Sequence, residues 1–97
     1  MAILDELLNE EFDRLQRIRA AMLKELELLP KGYISMKNIH GKQYPYLQKR
    51  EGSKVVSQSV ASHELEDLEQ KIARRKQLQA SLREVEGNIK KLERVIQ

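Results

Sequence analysis

The sequence predicts an α+β protein that is mainly helical, in which two long antiparallel amphipathic helices flank a small three-stranded antiparallel β-meander. Apolar residues recur at helical spacing at both ends of the chain, and runs with strand character, punctuated by glycine, fill the middle. The 97 residues are predicted to form one domain, 1–97. The expected boundaries are a helix over 2–29, the meander over 33–60 and a long helix over 63–96.

The first helix is predicted from apolar residues spaced by three, four or seven, with charged residues on the opposite face. Arg19 interrupts this stripe where a heptad would place an apolar residue. Pro30 ends the helix, because proline lacks a backbone donor and restricts the residue before it. The stripe residues assigned to the core or to self-association are Leu8, Phe12, Leu15, Met22 and Leu26.

The middle region contains three strand-like runs of about seven residues each. His40-Gly41-Lys42 and Glu51-Gly52-Ser53 separate these runs and are predicted to form short glycine-centred hairpin turns. Pro45 is discordant, since proline cannot donate to a central ladder, and a bulge or delayed pairing is expected there. Alternation within the second run places four side chains on one face: Tyr44, Tyr46, Gln48 and Arg50.

The last helix is predicted to begin with Ser62 as its N-cap, followed by acidic residues that the helix dipole favours. Its length, heptad-like seam and high charge are typical of a coiled-coil helix. Gly87 is expected to mark a close contact, because glycine in a helix costs about 1 kcal/mol. The seam residues assigned to the core or to self-association are Leu68, Ile72, Leu78, Leu82, Val85, Ile89 and Leu92.

The two helical stripes also predict self-association. A lone two-helix hairpin leaves part of each stripe in water, and a chain of this size buries only about 60–65% of its extended surface. Two copies forming a four-helix bundle would cover the stripes, so a homodimer is expected. A groove for the helix of a partner protein is the alternative use of the same surface.

The composition argues against catalysis. The chain has no cysteine, and His40 and His63 lie on different predicted elements without metal-ligand spacing. Phosphate-binding glycine loops and nucleophile motifs are absent as well. We therefore expect a protein that is not an enzyme, with no catalytic residue, metal or cofactor. The acidic start and the lack of an apolar run of about 20 residues favour a cytoplasmic protein that does not contact membranes.

Positive charge is concentrated in the middle third of the chain. Glu51 is the one acidic residue between positions 31 and 60, and it stands against six basic residues. An anionic partner would be attracted to this segment first. The basic residues are Lys31, Lys37, Lys42, Lys49, Arg50 and Lys54.

Three tyrosines, Tyr33, Tyr44 and Tyr46, lie among these cations. Aromatic rings can stack on bases while cations neutralise phosphates, so the segment is a candidate nucleic-acid interface. If a hairpin entered a major groove, Asn38, Gln48 and Arg50 would be the candidates for reading base edges. In the alternative interpretation, the tyrosines pack against the helix ends and the lysines protect edge strands. The residues predicted to bind nucleic acid or a partner are Lys37, Lys42, Tyr44, Tyr46, Lys49, Arg50 and Lys54.

A second basic cluster, Arg74-Arg75-Lys76, lies within the predicted last helix. Basic residues on a helix can contact phosphates. Glu69 and Glu84 flank this cluster in the sequence, and we interpret it as part of the solvated face of the helix.

The middle of the chain resembles a family of small uncharacterised bacterial and mobile-element proteins. The matching segments are Leu29-Pro30-Lys31-Gly32-Tyr33-Ile34 and 41–60, which are similar to an LPxG start, a tyrosine run followed by leucine, an REGGK-like turn and a final strand. Pro45 within the tyrosine run and Ser53 in place of glycine depart from the pattern. The resemblance covers about residues 29–90. It implies the helix–meander–helix layout and assigns no activity.

Together these patterns predict a non-enzymatic accessory binding protein that contacts nucleic acid or a nucleoprotein through its basic meander and self-associates through its helices. The alternative is a protein-binding adaptor or inhibitor, of a phage type or antitoxin-like, that acts through its helical and sheet surfaces. Salt separates the two, because binding to phosphates weakens steeply as salt rises. An interface of leucines responds little.

Overall fold

The structure, a computed structural model, describes residues 2–96. Its order of helix, three-stranded antiparallel sheet and helix confirms the predicted α+β, mainly helical class. A short 3-10 turn precedes the second helix. The elements are α1 (Ala2–Leu28), β1 (Tyr33–Ile39), β2 (Lys42–Glu51), β3 (Lys54–Ser59), the turn Ser62–Glu64 and α2 (Leu65–Ile96).

The chain divides into two compact units. The helical unit contains α1 and the part of α2 from Lys76 onward, and the sheet unit is Leu29–Arg75. The sheet unit therefore holds all three strands together with the first turns of α2. The division within α2 falls where the sequence interrupts the apolar seam, because Arg74-Arg75-Lys76-Gln77 lies between Ile72 and Leu78 and shifts the phase of the seam.

The helices of the helical unit run antiparallel. Arg19 Nε lies 3.1 Å from Glu86 Oε2, whereas Leu8, near the start of α1, lies beside Val95 at the end of α2. The interruption at Arg19 therefore places an ion pair between the helices. Both side chains are partly exposed, so the pair contributes about 1 kcal/mol or less to stability.

Burial in the helical unit is shallow. Leu15, Leu78 and Ile89 are its buried side chains among residues 3–96, and Leu78, at 3% exposure, is the most deeply buried. None of the predicted core residues is fully exposed. Those that are half-buried, here and in the first turns of α2, are Leu8, Phe12, Met22, Leu26, Leu68, Ile72, Leu82, Val85 and Leu92.

The expectation of a close contact at Gly87 is wrong. A Cβ atom placed on Gly87 would meet no atom within 4 Å among the described residues outside its own helical backbone. The side chains of the neighbouring turns leave open space at this position, so nothing in the fold requires a glycine there.

Two-residue turns set the register of the sheet, whose strand order is β1-β2-β3. His40 and Gly41 have φ angles of 52° and 82°, the positive pair that a type I′ turn requires. In the second turn Gly52 has φ 63°, whereas Ser53 has a negative φ, as in a type II′ turn. Only the first of the two turn residues needs a positive φ. Ser53 can therefore occupy the position where the REGGK-like pattern has its second glycine.

The predicted bulge at Pro45 is wrong. Pairing continues without interruption through Met36↔Pro45, and the Pro45 carbonyl accepts a hydrogen bond from the Val60 amide at 3.1 Å. In an antiparallel ladder, the N–H and C=O of one residue point to the same neighbouring strand. The nitrogen of Pro45, which carries no hydrogen, therefore faces the chain just beyond Ser59, where β3 has already ended. The ladder consequently loses no hydrogen bond within β3.

The register defines two faces of the sheet, since paired residues project to the same side. Leu47 is buried on one of them, and Val60, which pairs with Pro45 on the same side, is buried too. This leucine face consists of Ile34, Met36, Asn38, Gln43, Pro45, Leu47, Lys49, Glu51, Lys54, Val56 and Gln58.

The opposite face carries no buried side chain among the described strand residues. We refer to it as the tyrosine face. It consists of Tyr33, Ser35, Lys37, Ile39, Lys42, Tyr44, Tyr46, Gln48, Arg50, Val55, Ser57 and Ser59.

Helix α2 begins differently from the prediction. Ser62 is the first residue of the 3-10 turn rather than an N-cap, and Ala61 occupies the cap position without a side-chain hydrogen bond. The Glu64 amide instead donates to the Ala61 carbonyl at 2.9 Å, which closes the turn through the backbone. Glu66 and Asp67 do occupy the first turn of α2, where the helix dipole favours anions.

Candidate nucleic-acid interface

The register brings three tyrosines and three cations together on the tyrosine face. Tyr44 and Tyr46 lie on the central strand, and Tyr33 pairs with Gln48 at the start of β1. The two-residue turns fix this arrangement, because a slip of one residue would move each of these side chains to the other face. The cations of the face are Lys37, Lys42 and Arg50.

Tyr46 and Lys37 form the most ordered part of this face. The Lys37 ammonium lies 4.4 Å from the centre of the Tyr46 ring, a cation–π contact, and donates to Ser57 Oγ at 3.3 Å. Lys37 on β1 therefore reaches across the central strand to β3. Two of its contacts are neutral, so its charge is held in place without being neutralised.

Tyr33 and Tyr44 are exposed, at 59% and 42% respectively. The interpretation in which all three tyrosines pack against the helix ends is therefore wrong for these two rings. Only Tyr46 is half-buried, and Lys37 lies over it. Exposed rings supported by a sheet offer flat apolar surfaces on which another planar group can stack.

The tyrosine face is uniformly positive. None of its residues, all of which lie in the described part of the chain, is acidic. Within residues 2–96 no carboxylate lies within 4 Å of the charged groups of Lys37, Lys42 or Arg50. Three positive charges on a surface without compensating anions attract polyanions.

Two of the predicted binding residues, Lys49 and Lys54, lie on the leucine face. Lys49 Nζ contacts Glu51 Oε1 at 3.4 Å, so its charge is partly compensated. The sequence grouped these lysines with Arg50 because they are close along the chain, but neighbouring residues of a strand project to opposite sides. The binding role of the other five, Lys37, Lys42, Tyr44, Tyr46 and Arg50, stays a prediction.

Asn38 has a local structural role. Its side-chain oxygen accepts a hydrogen bond from the Gly41 amide at 3.1 Å and so supports the first turn. Asn38 also belongs to the leucine face, away from Gln48 and Arg50. It is therefore removed from the candidates for reading base edges.

Tyr33 and Ser57 are members of the tyrosine face that were not among the predicted binding residues. The sequence does contain a signal that could have assigned Tyr33 to this face. A two-residue turn at His40-Gly41 pairs odd-numbered residues of β1 with even-numbered residues of β2, so Tyr33 lies on the same face as Tyr44 and Tyr46. Ser57 carries no comparable signal, since only the position of Lys37 over the sheet gives its hydroxyl a role.

One member of the second basic cluster is engaged within the fold. Arg75 is half-buried, and its guanidinium donates to the Leu29 carbonyl at 3.4 Å. Arginine often satisfies carbonyl groups that helix ends leave without partners. This contact ties the two ends of the sheet unit together, whereas the side chains of Arg74 and Lys76 are exposed, as expected of a solvated helix face.

No three or more histidine and acidic side chains within residues 2–96 are grouped so that they could hold a metal ion. In the same residues, neither helix has an apolar stretch long enough to cross a membrane.

Comparison with known proteins places the chain in a family. No curated protein and no solved structure matches it. Residues 3–70 match the family described as "Domain of unknown function (DUF6788)", a region that spans α1, the whole sheet and the first turns of α2. Because this region is more than half of the chain, the protein belongs to the DUF6788 family.

Proposed function

We propose that the protein is a non-enzymatic, cytoplasmic accessory protein that binds nucleic acid, or a nucleoprotein, through its tyrosine face. One observation carries the proposal: tyrosine rings and cations share an exposed face that has no acidic residue among those described. Rings and cations together are the usual means by which a sheet holds a nucleic-acid strand.

The distribution of charge supports a phosphate-rich partner over a protein partner. The net charge of the whole chain is only +3, yet the one acid of the sheet, Glu51, lies on the leucine face beside Lys49. The uncompensated cations are thereby separated from every strand carboxylate. An adaptor surface for an ordinary protein has no need of this separation, because its rim normally carries charges of both signs.

Salt dependence tests this proposal. If Lys37, Lys42 and Arg50 each neutralise a phosphate, the logarithm of the affinity falls with the logarithm of the salt concentration with a slope of about −2 to −3. Fluorescence anisotropy with labelled oligonucleotides across a salt series measures this slope. Absence of binding at low salt, or binding that does not respond to salt, would favour the adaptor alternative.

The proposed function includes self-association, which the shallow burial of the helical unit supports. Most of the stripe residues assigned to the core are only half-buried. A second copy of the chain would cover these stripes by packing helix against helix.

A terminal patch marks the proposed contact. Ile3, Leu4 and Leu7, on the first two turns of α1, and Val95, on the last turn of α2, are all more than half exposed. Val95 and Leu8 line the same surface depression, so the start of α1 lies beside the end of α2. We define these four exposed residues as the terminal patch.

The charges around the terminal patch suit a copy of itself. The start of α1 is acidic, with Asp5, Glu6 and Glu10, whereas the end of α2 is basic, with Lys90, Lys91 and Arg94 against the one acid Glu93. A two-fold axis that packs α1 of one copy against α2 of the other places acid beside base on both sides. The patch is therefore electrostatically self-complementary.

Replacing Leu7 and Val95 together with glutamate is expected to convert the dimer into a monomer. The dissociation constant should rise about 10,000-fold, because a two-fold interface contains each substituted residue twice and each apolar side chain withdrawn from it is worth about 1.5 kcal/mol or more. Sedimentation velocity over a concentration series measures the effect. Leu28→Glu is the control, since Leu28 is 84% exposed at the other end of α1. A native chain that is monomeric at micromolar concentration would contradict the proposal.

A further inference from the structure

The geometry points to a single-stranded ligand, with Tyr33 and Tyr44 each stacking on a base and Lys37 contacting the backbone phosphate between them. This inference rests on the proposed function and narrows it, since nucleic acid in general includes duplexes. It assigns different roles to the three tyrosines: two stack on the ligand, and Tyr46 positions Lys37.

The two exposed rings are far apart along the sheet. Tyr44 pairs with Lys37, and Tyr33 lies four residues before Lys37 on the same strand. At about 3.3 Å per residue the rings are therefore about 13 Å apart along the strand direction. Successive bases on one strand of a duplex are about 3.4 Å apart. The rings are thus too widely spaced for adjacent stacked bases and fit separate bases of an extended strand.

The charge between the rings lies where an extended backbone would pass. Tyr46 pairs with Ser35, which lies midway between Tyr33 and Lys37 along β1. The Lys37 ammonium lies over the Tyr46 ring and therefore between the levels of Tyr33 and Tyr44. An ammonium has three donors, and the hydrogen bond to Ser57 uses one of them. The remaining donors are sufficient for a phosphate of the backbone that runs between the two stacked nucleotides.

A duplex fits this face poorly. The major groove admits a helix or a two-stranded ribbon, whereas the tyrosine face is three strands wide, with its rings on β1 and on the central strand. Within a duplex the flat faces of the bases are covered by their neighbours, so an outward-facing ring finds nothing on which to stack. Unpaired bases provide those faces.

The experiment measures binding of the full-length protein to labelled oligo-dT, oligo-U and a mixed-sequence DNA duplex by fluorescence anisotropy. The native chain is expected to bind one or both single strands at least tenfold more tightly than the duplex. Replacing Tyr33 and Tyr44 together with alanine should weaken single-strand binding about 30-fold or more, since stacking contributes roughly fivefold or more per base.

Matched variants separate stacking from other effects. Tyr33→Phe with Tyr44→Phe keeps the rings and should keep the affinity. Met36→Ala, which removes a half-exposed apolar side chain from the leucine face, should leave binding unchanged. Lys37→Gln should make the slope of the logarithm of affinity against the logarithm of salt concentration shallower by about 0.7, which is the contribution of one neutralised phosphate on a single strand. The double alanine variant should leave this slope unchanged.

The outcomes distinguish this inference from the proposed function. Binding to the duplex that equals or exceeds binding to single strands, with no effect of the double alanine variant, overturns the inference and leaves nucleic-acid binding standing. Binding to none of the three probes at low salt overturns both. A single-strand preference that disappears with the alanine pair and survives with the phenylalanine pair supports the inference.

Discussion

Replacing Lys37, Lys42 and Arg50 together with glutamate is expected to reduce the affinity for single-stranded DNA by about 100-fold or more at low salt. Each substitution removes a cation from the tyrosine face and adds an anion that repels phosphate. The change should also remove most of the salt dependence, because few counterions are then released on binding. Anisotropy titrations at two salt concentrations measure both effects.

The control for this variant has the same change in net charge at other positions. Lys31, Lys49 and Lys54 lie outside the tyrosine face, and replacing them with glutamate also alters the net charge by six units. If the tyrosine face is the binding surface, this control should lose far less affinity than the first triple variant. Equal losses in both would show that binding depends on total charge and not on one face of the sheet.

Gly32→Ala is expected to destabilise the sheet unit by about 3 kcal/mol or more. Gly32 has φ +111°, and a Cβ atom there would lie 2.3 Å from the Gln48 carbonyl oxygen. That oxygen belongs to the backbone of the central strand and cannot move aside as the end of a flexible side chain can. The loss therefore combines backbone strain with a displacement of β2.

Tyrosine fluorescence and far-UV circular dichroism can report this effect separately for the two units. The chain has no tryptophan, and all three tyrosines lie in the sheet, whereas the dichroism is dominated by the helices. In a urea titration, Gly32→Ala should shift the fluorescence transition to lower urea. Gly52→Ala, with positive φ but open space, should cost about 1 kcal/mol. A fluorescence transition unchanged by Gly32→Ala would refute the close approach to Gln48.

Gly87→Ala serves as the opposite control in the same titrations. Alanine in a helix is favoured over glycine by about 1 kcal/mol, and a Cβ at this position meets nothing. The dichroism transition should therefore move to higher urea while the fluorescence transition stays in place.

The order of elements followed from local patterns in the sequence. Apolar spacing, Pro30 and the two glycine turns were sufficient to predict both helices and all three strands, because each signal acts over a few residues. The details at Pro45 and Ser62 were not predictable in this way. Whether Pro45 disrupts the ladder depends on where β3 ends. Whether Ser62 caps α2 depends on the 3-10 turn Ser62–Glu64, which precedes that helix and contains Ser62 itself.

The candidate site could be predicted only in part. Charge counting pointed to the segment that contains the candidate site but grouped Lys49 and Lys54 with residues of the opposite face. The register, which two-residue turns impose, decides the face, and it also adds Tyr33. The contact of Lys37 with Tyr46 and Ser57 joins all three strands. No pattern along the chain reveals such a contact, because it depends on how a long side chain lies across its neighbours.

The alternation of the two faces along β2 has a consequence for how this protein can change during evolution. Positions of the leucine face and positions of the tyrosine face, where we propose that a ligand binds, occupy alternate places in the sequence, so each set can vary while the other stays constant. Under this proposal, substitutions on the tyrosine face tune recognition at little risk to folding. Gain or loss of a single residue within β2, by contrast, would exchange the two sets at once and is the kind of mutation that selection should remove first.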